Sequence, residues 1–306
     1  MRIALTGVSG FVGAALAPRL AADGHELHGI TRAPDRVDPA LPLAAVHRAD
    51  AVSGTGLAYA LRGAEVAYYL IHAMEPASGS DFETRDQRSA ANFAAAAKAA
   101  GVRRIVYLGG PLPSGREPSR HLASRLAVEQ TLLDAVPASV ALRASIVIGA
   151  RSRSFRVLVR LVERLTILVL PSWHRFRTQP IDERDAVAYL ARAATATGVD
   201  GMALEIGGPE ILSYGTMLER IAELMLVRRP AVRTTIGMTP VASVLAARVA
   251  GEEPELLRPL MESLSGDLVL DDHAARELLG VRLHSFDAAV ERALREWEAH
   301  EPLRAR

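Results

Sequence analysis

The chain of 306 residues carries 36 Lys and Arg against 35 Asp and Glu, a formal net charge of +1, and 49% of it is apolar. Near-neutrality gives no whole-chain attraction to nucleic acid or to an anionic membrane, and the apolar share is enough for a sizeable core. There is no cysteine, which excludes disulfides, thiolate metal sites and a cysteine nucleophile.

An apolar run at residues 3–5 reads as a buried strand. It follows Met1 and Arg2 directly, so no signal peptide and a cytoplasmic location are expected. The run breaks into Gly7-x-x-Gly10-x-x-Gly13, and a helical pattern follows over 10–22 in which Pro18 is expected to kink or loosen a turn. Glycine at position 7 permits a tight turn, at 10 a close backbone approach to a pyrophosphate, and at 13 close packing of helix on strand. The helix N-terminus adds free N–H groups for an anion. A glycine triplet alone is weak, but one set between an N-terminal strand and a helix predicts dinucleotide binding by Thr6, Gly7, Ser9, Gly10, Phe11, Val12 and Gly13.

The second strand, 26–31, ends in Thr31-Arg32 with no carboxylate at its tip. An NAD site usually places Asp or Glu there for the adenosine 2′-hydroxyl. The planar fork of Arg32 instead suits a 2′-phosphate, with Thr31 as a hydroxyl donor and Arg36 as a second cation. The expected cofactor is therefore NADP(H). A third strand is expected over 44–47, and Asp50 just past it is placed to meet the adenine or to cap a helix.

The fourth strand, 66–71, ends at Ile71 and His72. Ligands of open parallel sheets bind at the carboxyl ends of strands, so His72 either faces the nicotinamide and substrate or is satisfied by backbone. A helix over 82–100, a strand over 104–108 ending in Gly109-Gly110, a helix over 120–136 and a strand over 140–148 complete the alternation. Tyr69 and Tyr107 fall inside strands and read as core. Strands alternating with helices predict an α/β fold, a Rossmann-type doubly wound parallel sheet.

Past residue 150 the alternation fades. The apolar stretch 155–170 carries Arg156, Arg160, Glu163 and Arg164 at helical spacing, which reads as one amphipathic helix over a core or cleft. A bilayer span would need roughly 20 uninterrupted apolar residues. Further elements are expected as strands at 178–181 and 202–206, a helix over 182–197, a helix over 217–226 with Ser213 as N-cap, and short strands at 232–237 and 267–270. The predicted organisation is a dinucleotide domain over 1–150, completed by 178–210, and a small, mostly helical substrate lobe built from 151–177 and 211–306.

In this order the residues resemble the atypical and extended short-chain dehydrogenase/reductases. The resemblance rests on Thr6-Gly-x-x-Gly-x-x-Gly13, Thr31-Arg32, Asp50, Val66-Ala-Tyr-Tyr-Leu-Ile-His-Ala-Met74 and Ala99-Ala-Gly-Val-Arg-Arg-Ile-Val-Tyr-Leu-Gly-Gly110. It continues through Leu142-Arg-Ala-Ser-Ile-Val-Ile-Gly149, Gln179-Pro-Ile181, Asp185 and Gly207-Gly-Pro-Glu-Ile-Leu-Ser-Tyr214, and so spans about the first 215 residues. The segment around His72 is similar to NAD(P)H-binding reductases of unassigned substrate. The resemblance implies a nicotinamide cofactor and a C-terminal substrate lobe, without implying a reaction.

Members of that family mostly use Ser with Tyr-x-x-x-Lys, the lysine lowering the tyrosine pKa and holding the nicotinamide ribose while the tyrosine passes a proton. The i, i+4 pair on the corresponding helix is here His121 and Arg125, and Gly109-Gly110 stand where serines are frequent. Arg125 retains donors for ribose hydroxyls. As a neighbouring cation it favours neutral imidazole at His121, which is then a weak proton donor or a substrate hydrogen-bonder, or else an ordinary helix histidine. His121, Arg125 and His72 are the catalytic candidates. Of Arg143, Ser145 and Arg151 one is expected to line the cleft, whereas Glu183 and Asp185 open a helix and read as structural.

The expected function is an NADPH-dependent oxidoreductase acting on an activated C=C, C=N or C=O of a small apolar molecule. The alternatives are a non-catalytic NADP-binding sensor or assembly factor and an NADP-assisted isomerase or epimerase. The expected partner is the small-molecule substrate, with a homodimer possible in principle and no nucleic acid, membrane or metal site.

Overall fold

The computed structural model describes residues 1–71, 82–113, 115–234 and 266–303. Strands β1 (Arg2–Thr6), β2 (Glu26–Thr31), β3 (Ala45–Arg48), β4 (Val66–Tyr69), β5 (Arg104–Gly109), β6 (Val140–Ala144) and β11 (Ala203–Ile206) form one sheet in the order β3–β2–β1–β4–β5–β6–β11. Every pairing in it is parallel. The chain moves outward from β1 to β3, then returns to place β4 on the other side of β1. That reversal opens a crevice at the carboxyl ends of β1 and β4.

Parallel strands buried on both faces carry apolar residues at consecutive positions, and alternate residues serve opposite layers. On one face Ile3, Leu5, Tyr68, Val106 and Leu142 pack with Leu16 and Leu20 of α1 (Phe11–Ala22) and Leu190 of α6 (Glu183–Ala193). On the other, Ala4, Tyr69, Ile105 and Tyr107 pack with Phe93 of α3 (Phe82–Ala99) and Val128 and Leu132 of α4 (Arg120–Ala135), beside the one-turn helix α2 (Leu57–Ala60). The hydroxyl of buried Tyr68 donates to the carbonyl of Leu190 at 2.9 Å, and Tyr69 lies against the Phe93 ring. Helix α1 runs through Pro18 without a break.

A second apolar cluster joins α5 (Arg153–Arg164), α7 (Tyr214–Leu224), β8 (Leu168–Leu170) and α9 (Phe286–Glu298). The expectation of a single helix across 155–170 is corrected here. Helix α5 ends at Arg164, Leu165 caps it in extended geometry, and the β-branched run that follows becomes β8, paired with β13 (Ala231–Arg233). Proline and the residues around it likewise divide the expected strand 178–181 into β9 (Arg177–Thr178) and β10 (Ile181–Asp182). The expected strand 140–148 is β6 followed by β7 (Val147–Ile148), which pairs with β10. Ser213 ends β12 (Leu212–Ser213) and caps α7 by accepting from the Thr216 amide at 3.1 Å. The expected strand at 267–270 is reduced to a bridge between Leu268 and Thr178 that precedes α8 (His273–Leu279). Among the described residues no helix is long and apolar enough to cross a membrane.

Candidate dinucleotide and substrate cleft

A cleft of about 760 Å³ opens at the carboxyl ends of the central strands. Its floor is the turn between β1 and α1. Gly7 takes φ +66°, a left-handed conformation that favours glycine, and a side chain there would meet the Leu70 carbonyl at 2.6 Å. A Cβ on Gly13 would lie 2.3 Å from the Gly7 carbonyl oxygen, so the first turn of α1 rests directly on the loop. No side chain caps that helix. Its first amides are thus without a side-chain partner, a geometry compatible with an anion.

Gly7, Ser9, Gly10, Phe11, Val12 and Gly13 all line the cleft, whereas Thr6 does not. Thr6 is fully buried and stitches β1 to β4: its hydroxyl donates to the Tyr68 carbonyl at 2.8 Å and accepts from the Leu70 amide at 3.0 Å. It shapes the floor from beneath.

Thr31 and Arg32 line the cleft at the end of β2, with Asp50 and Ile71 nearby. The Thr31 hydroxyl accepts from the Ala33 amide at 3.2 Å, and the Arg48 guanidinium donates to the Arg32 carbonyl at 3.0 Å, which fixes the path of this loop. Asp35, the nearest carboxylate in sequence, pairs with Arg48 at 3.7 Å. Arg36 is exposed in a short 3-10 turn and does not line the cleft. Asp50 lines the cleft and its carboxylate accepts from the Val52 amide at 2.9 Å within the turn after β3; it caps no helix, the N-cap of α2 being Gly56. His72, together with Met74 and Glu75, lies outside the described residues.

His121 and Arg125 meet at the wall opposite, one turn apart on α4, and both line the cleft. Arg125 donates from Nε to His121 Nε2 at 3.3 Å, and its Nη1 lies 3.5 Å from the Tyr107 hydroxyl. Burial first and the Arg125 charge second push the His121 pKa down to about 4, so the imidazole is neutral near pH 7. Its ring stacks on Phe82 with centroids 5.9 Å apart. With Nε2 accepting, the proton belongs on Nδ1, and that buried nitrogen has no hydrogen-bond partner among the described residues.

Gly109 and Gly110 also border the cleft. A Cβ on Gly109 would fall 2.9 Å from the Tyr107 ring, and one on Gly110 2.9 Å from Leu122 and 3.2 Å from Arg125. A serine at either position would therefore require the side chain of Tyr107, or those of Leu122 and Arg125, to shift. One more turn along the same face of α4, Glu129 holds Arg143 of β6 through two bonds of 2.9 and 2.6 Å. Arg143 is thereby committed to structure, and Ser145 and Arg151 are the cleft-lining members of their trio.

Glu183 pairs with Arg292 at 2.8 Å, and Asp185 accepts from the backbone amide and Nδ1 of His284 at 2.7 and 2.6 Å, so both tie α6 to the C-terminal segment. Burial raises the pKa of each. Sequence reasoning did not single out Arg85, Arg153, Ser154, Tyr214 or Leu268, which also line the cleft. They come from α3, the start of α5, the start of α7 and the segment before α8, and only the folded arrangement brings those elements together. Among the described residues no group of three or more His, Asp or Glu is placed to hold a metal.

Residues 7–146 match the NAD(P)H-binding family. That match covers just under half of the chain, and over its length the chain has the fold of the short-chain dehydrogenases/reductases. Solved structures agree over nearly its whole length. A short-chain dehydrogenase/reductase superfamily protein from Agrobacterium tumefaciens with bound NAD superposes with TM-score 0.69, 19% identity and coverage of 98% of this chain and 96% of that one. A UDP-glucuronic acid 4-epimerase from Bacillus cereus in complex with NAD gives TM-score 0.75 at 16% identity, covering 98% and 99%. In sequence, an uncharacterised protein of Mycobacterium tuberculosis is 32% identical over 267 residues, 86% of this chain. The chain spans only 27% of that relative's length.

Proposed function

We propose that the chain is an NADP(H)-dependent oxidoreductase that reduces an activated C=C, C=N or C=O bond in a small, largely apolar molecule. One observation carries this reading: the glycine turn of β1 and α1 shares its cleft with a buried neutral imidazole whose Nδ1–H has no acceptor among the described residues. NADP(H) rather than NAD(H) is supported by the sequence at the tip of β2, where Arg32 stands in place of an Asp or Glu and lines the cleft.

When bound, the nicotinamide supplies the hydride. The residues of the chain then do the following. The amides of the Gly7–Gly13 turn hold the pyrophosphate, and Arg32 with Thr31 holds the 2′-phosphate. Arg125 fixes the His121 tautomer and keeps guanidinium donors for ribose hydroxyls. Neutral His121 donates a hydrogen bond from Nδ1 to the substrate atom that gains negative charge. Neutral imidazole is too weak an acid to surrender that proton readily, so the final proton comes from solvent. Substrates whose reduced product is a stabilised anion or a neutral amine suit this arrangement best. The wall of Val157, Leu158 and Leu161 keeps the reacting region dry.

The test is NADPH oxidation followed at 340 nm with enones, imines and quinones. Turnover above background with NADPH preferred over NADH is expected. Tight NADPH binding without turnover of any member of the panel would overturn the reductase reading.

A further inference from the structure

Among the described residues the cleft lining carries more arginines than carboxylates. It contains five arginines, Arg32, Arg85, Arg125, Arg151 and Arg153, against one carboxylate, Asp50. The whole chain is within one charge of neutral, so this excess is local. The pyrophosphate and 2′-phosphate ends of a dinucleotide call on the β1–α1 turn and Arg32. Arg151 and Arg153 stand elsewhere, on the α5 segment that begins the second lobe, and neither has a hydrogen-bond or carboxylate partner among the described residues.

The same helix supplies a graded surface. Ser154, Leu158 and Leu161 recur at intervals of four and three, which places them on one stripe of α5, and Arg151 and Arg153 stand at the N-terminal end of the helix; all five line the cleft. The wall is cationic at that end and aliphatic one and two turns further on. Trp173 faces it from the turn after β8. It is 7% exposed, lines the cleft, and its buried indole Nε1–H has no acceptor. Desolvating an N–H without an acceptor is costly, so the buried indole marks a polar demand in this wall, while Arg151 and Arg153 are exposed and offer the cleft two cations with no carboxylate partner among the described residues.

We propose that the substrate is an amphiphilic organic anion, its carboxylate or phosphate head held by Arg151 and Arg153 and its apolar body laid along Leu158, Leu161 and Trp173. The guanidinium fork matches either head group through paired charge-assisted bonds. The proposal rests on the oxidoreductase reading only for the word substrate. Its test reads binding and not turnover.

The experiment is calorimetry on the full chain, with and without saturating NADP⁺, using trans-2-octenoate, its methyl ester and octyl phosphate. The wild type is compared with the Arg151→Gln/Arg153→Gln double variant, both checked for unchanged thermal unfolding. The carboxylate or the phosphate is expected to bind at least about 10-fold tighter than the ester, and the double variant to lose that preference by about 10- to 100-fold while ester and NADPH affinities stay within about 3-fold. Whichever anion binds tighter names the head group. Equal binding of acid, phosphate and ester, or no binding of either anion, overturns the proposal. So does a double variant that loses NADPH affinity instead, since the two arginines would then belong to the cofactor phosphates. Anion binding through the arginine pair without reduction of any anion leaves the proposed ligand class standing and removes the oxidoreductase reading. Reduction that is indifferent to the arginines does the reverse.

Discussion

Arg125 donates from Nε to Nε2 of His121 across one turn of α4, at 3.3 Å, and so leaves the imidazole proton on a buried Nδ1 that has no partner among the described residues. The i, i+4 geometry of a helix makes this contact available to any such pair, but burial decides its consequence. A histidine kept neutral by its surroundings polarises a substrate without acting as a strong acid.

His121 should make stability depend on pH. Its folded pKa of about 4 lies below the ordinary value of 6.5, so between those values the unfolded chain binds the extra proton. The stabilising difference is fully present above pH 6.5 and is lost as pH falls through 4, amounting to roughly 3 kcal/mol over that window. Urea unfolding of wild type and His121→Asn at pH 7.5, 6, 5 and 4 measures it. The variant should show the shallower pH dependence, whatever its absolute stability. Identical slopes would mean that the imidazole is not buried neutral.

The Gly7–Gly13 contact predicts an intolerant position. In Gly13→Ala the added Cβ would sit 2.3 Å from the Gly7 carbonyl and 3.1 Å from the Val8 Cα, both backbone atoms that no side-chain rotation moves aside. Relief requires α1 to lift from the turn, at a cost of about 1–3 kcal/mol or more, and the amides that face the phosphates move with it. Thermal unfolding should fall and NADPH titration should weaken by more than 10-fold, about 1.4 kcal/mol. Wild-type affinity in this variant would show that the phosphates are held elsewhere.

Arg32 should set the choice of nucleotide. Arg32→Gln removes charge-assisted bonds to a 2′-phosphate, expected to weaken NADPH binding by about 10- to 100-fold while NADH changes by less than about 3-fold. Binding titrations with the two nucleotides, at fixed ionic strength, decide it. A parallel loss for both would assign Arg32 to the pyrophosphate or the loop.

The phosphate end of the cleft was legible in the sequence because it is local. A strand, three spaced glycines and a helix are consecutive, and so are β2 and Thr31-Arg32. The alternation of strand and helix also gave the seven-stranded sheet, since each βαβ unit closes within a few dozen residues. The α4 wall was legible as a pair, His121 and Arg125 at i, i+4, but its electrostatic character was not. Its character depends on burial against Phe82 and on a glycine loop pressed on Leu122 and Arg125, which are tertiary contacts. The substrate wall was least legible. The run 155–170 looked like one helix because its charges kept helical spacing, and the β-branched residues after Arg164 outweighed that pattern only by pairing with β13, some 60 residues away.

The Glu129–Arg143 pair predicts an asymmetric mutational response. Glu129 and Arg143 have side chains 3% and 17% exposed and bond to each other twice, joining α4 to β6 directly below the His121–Arg125 turn. Arg143→Ala strands a buried carboxylate and should cost about 3–5 kcal/mol, whereas replacing both partners by apolar residues of similar volume, Glu129→Leu with Arg143→Met, should cost far less. Urea unfolding at pH 7 compares the three proteins. If the pair anchors α4, NADPH affinity falls in Arg143→Ala and recovers in the double variant along with stability. Equal destabilisation by the single and double changes would mean that the pair contributes by its net attraction rather than by the cost of leaving one member alone.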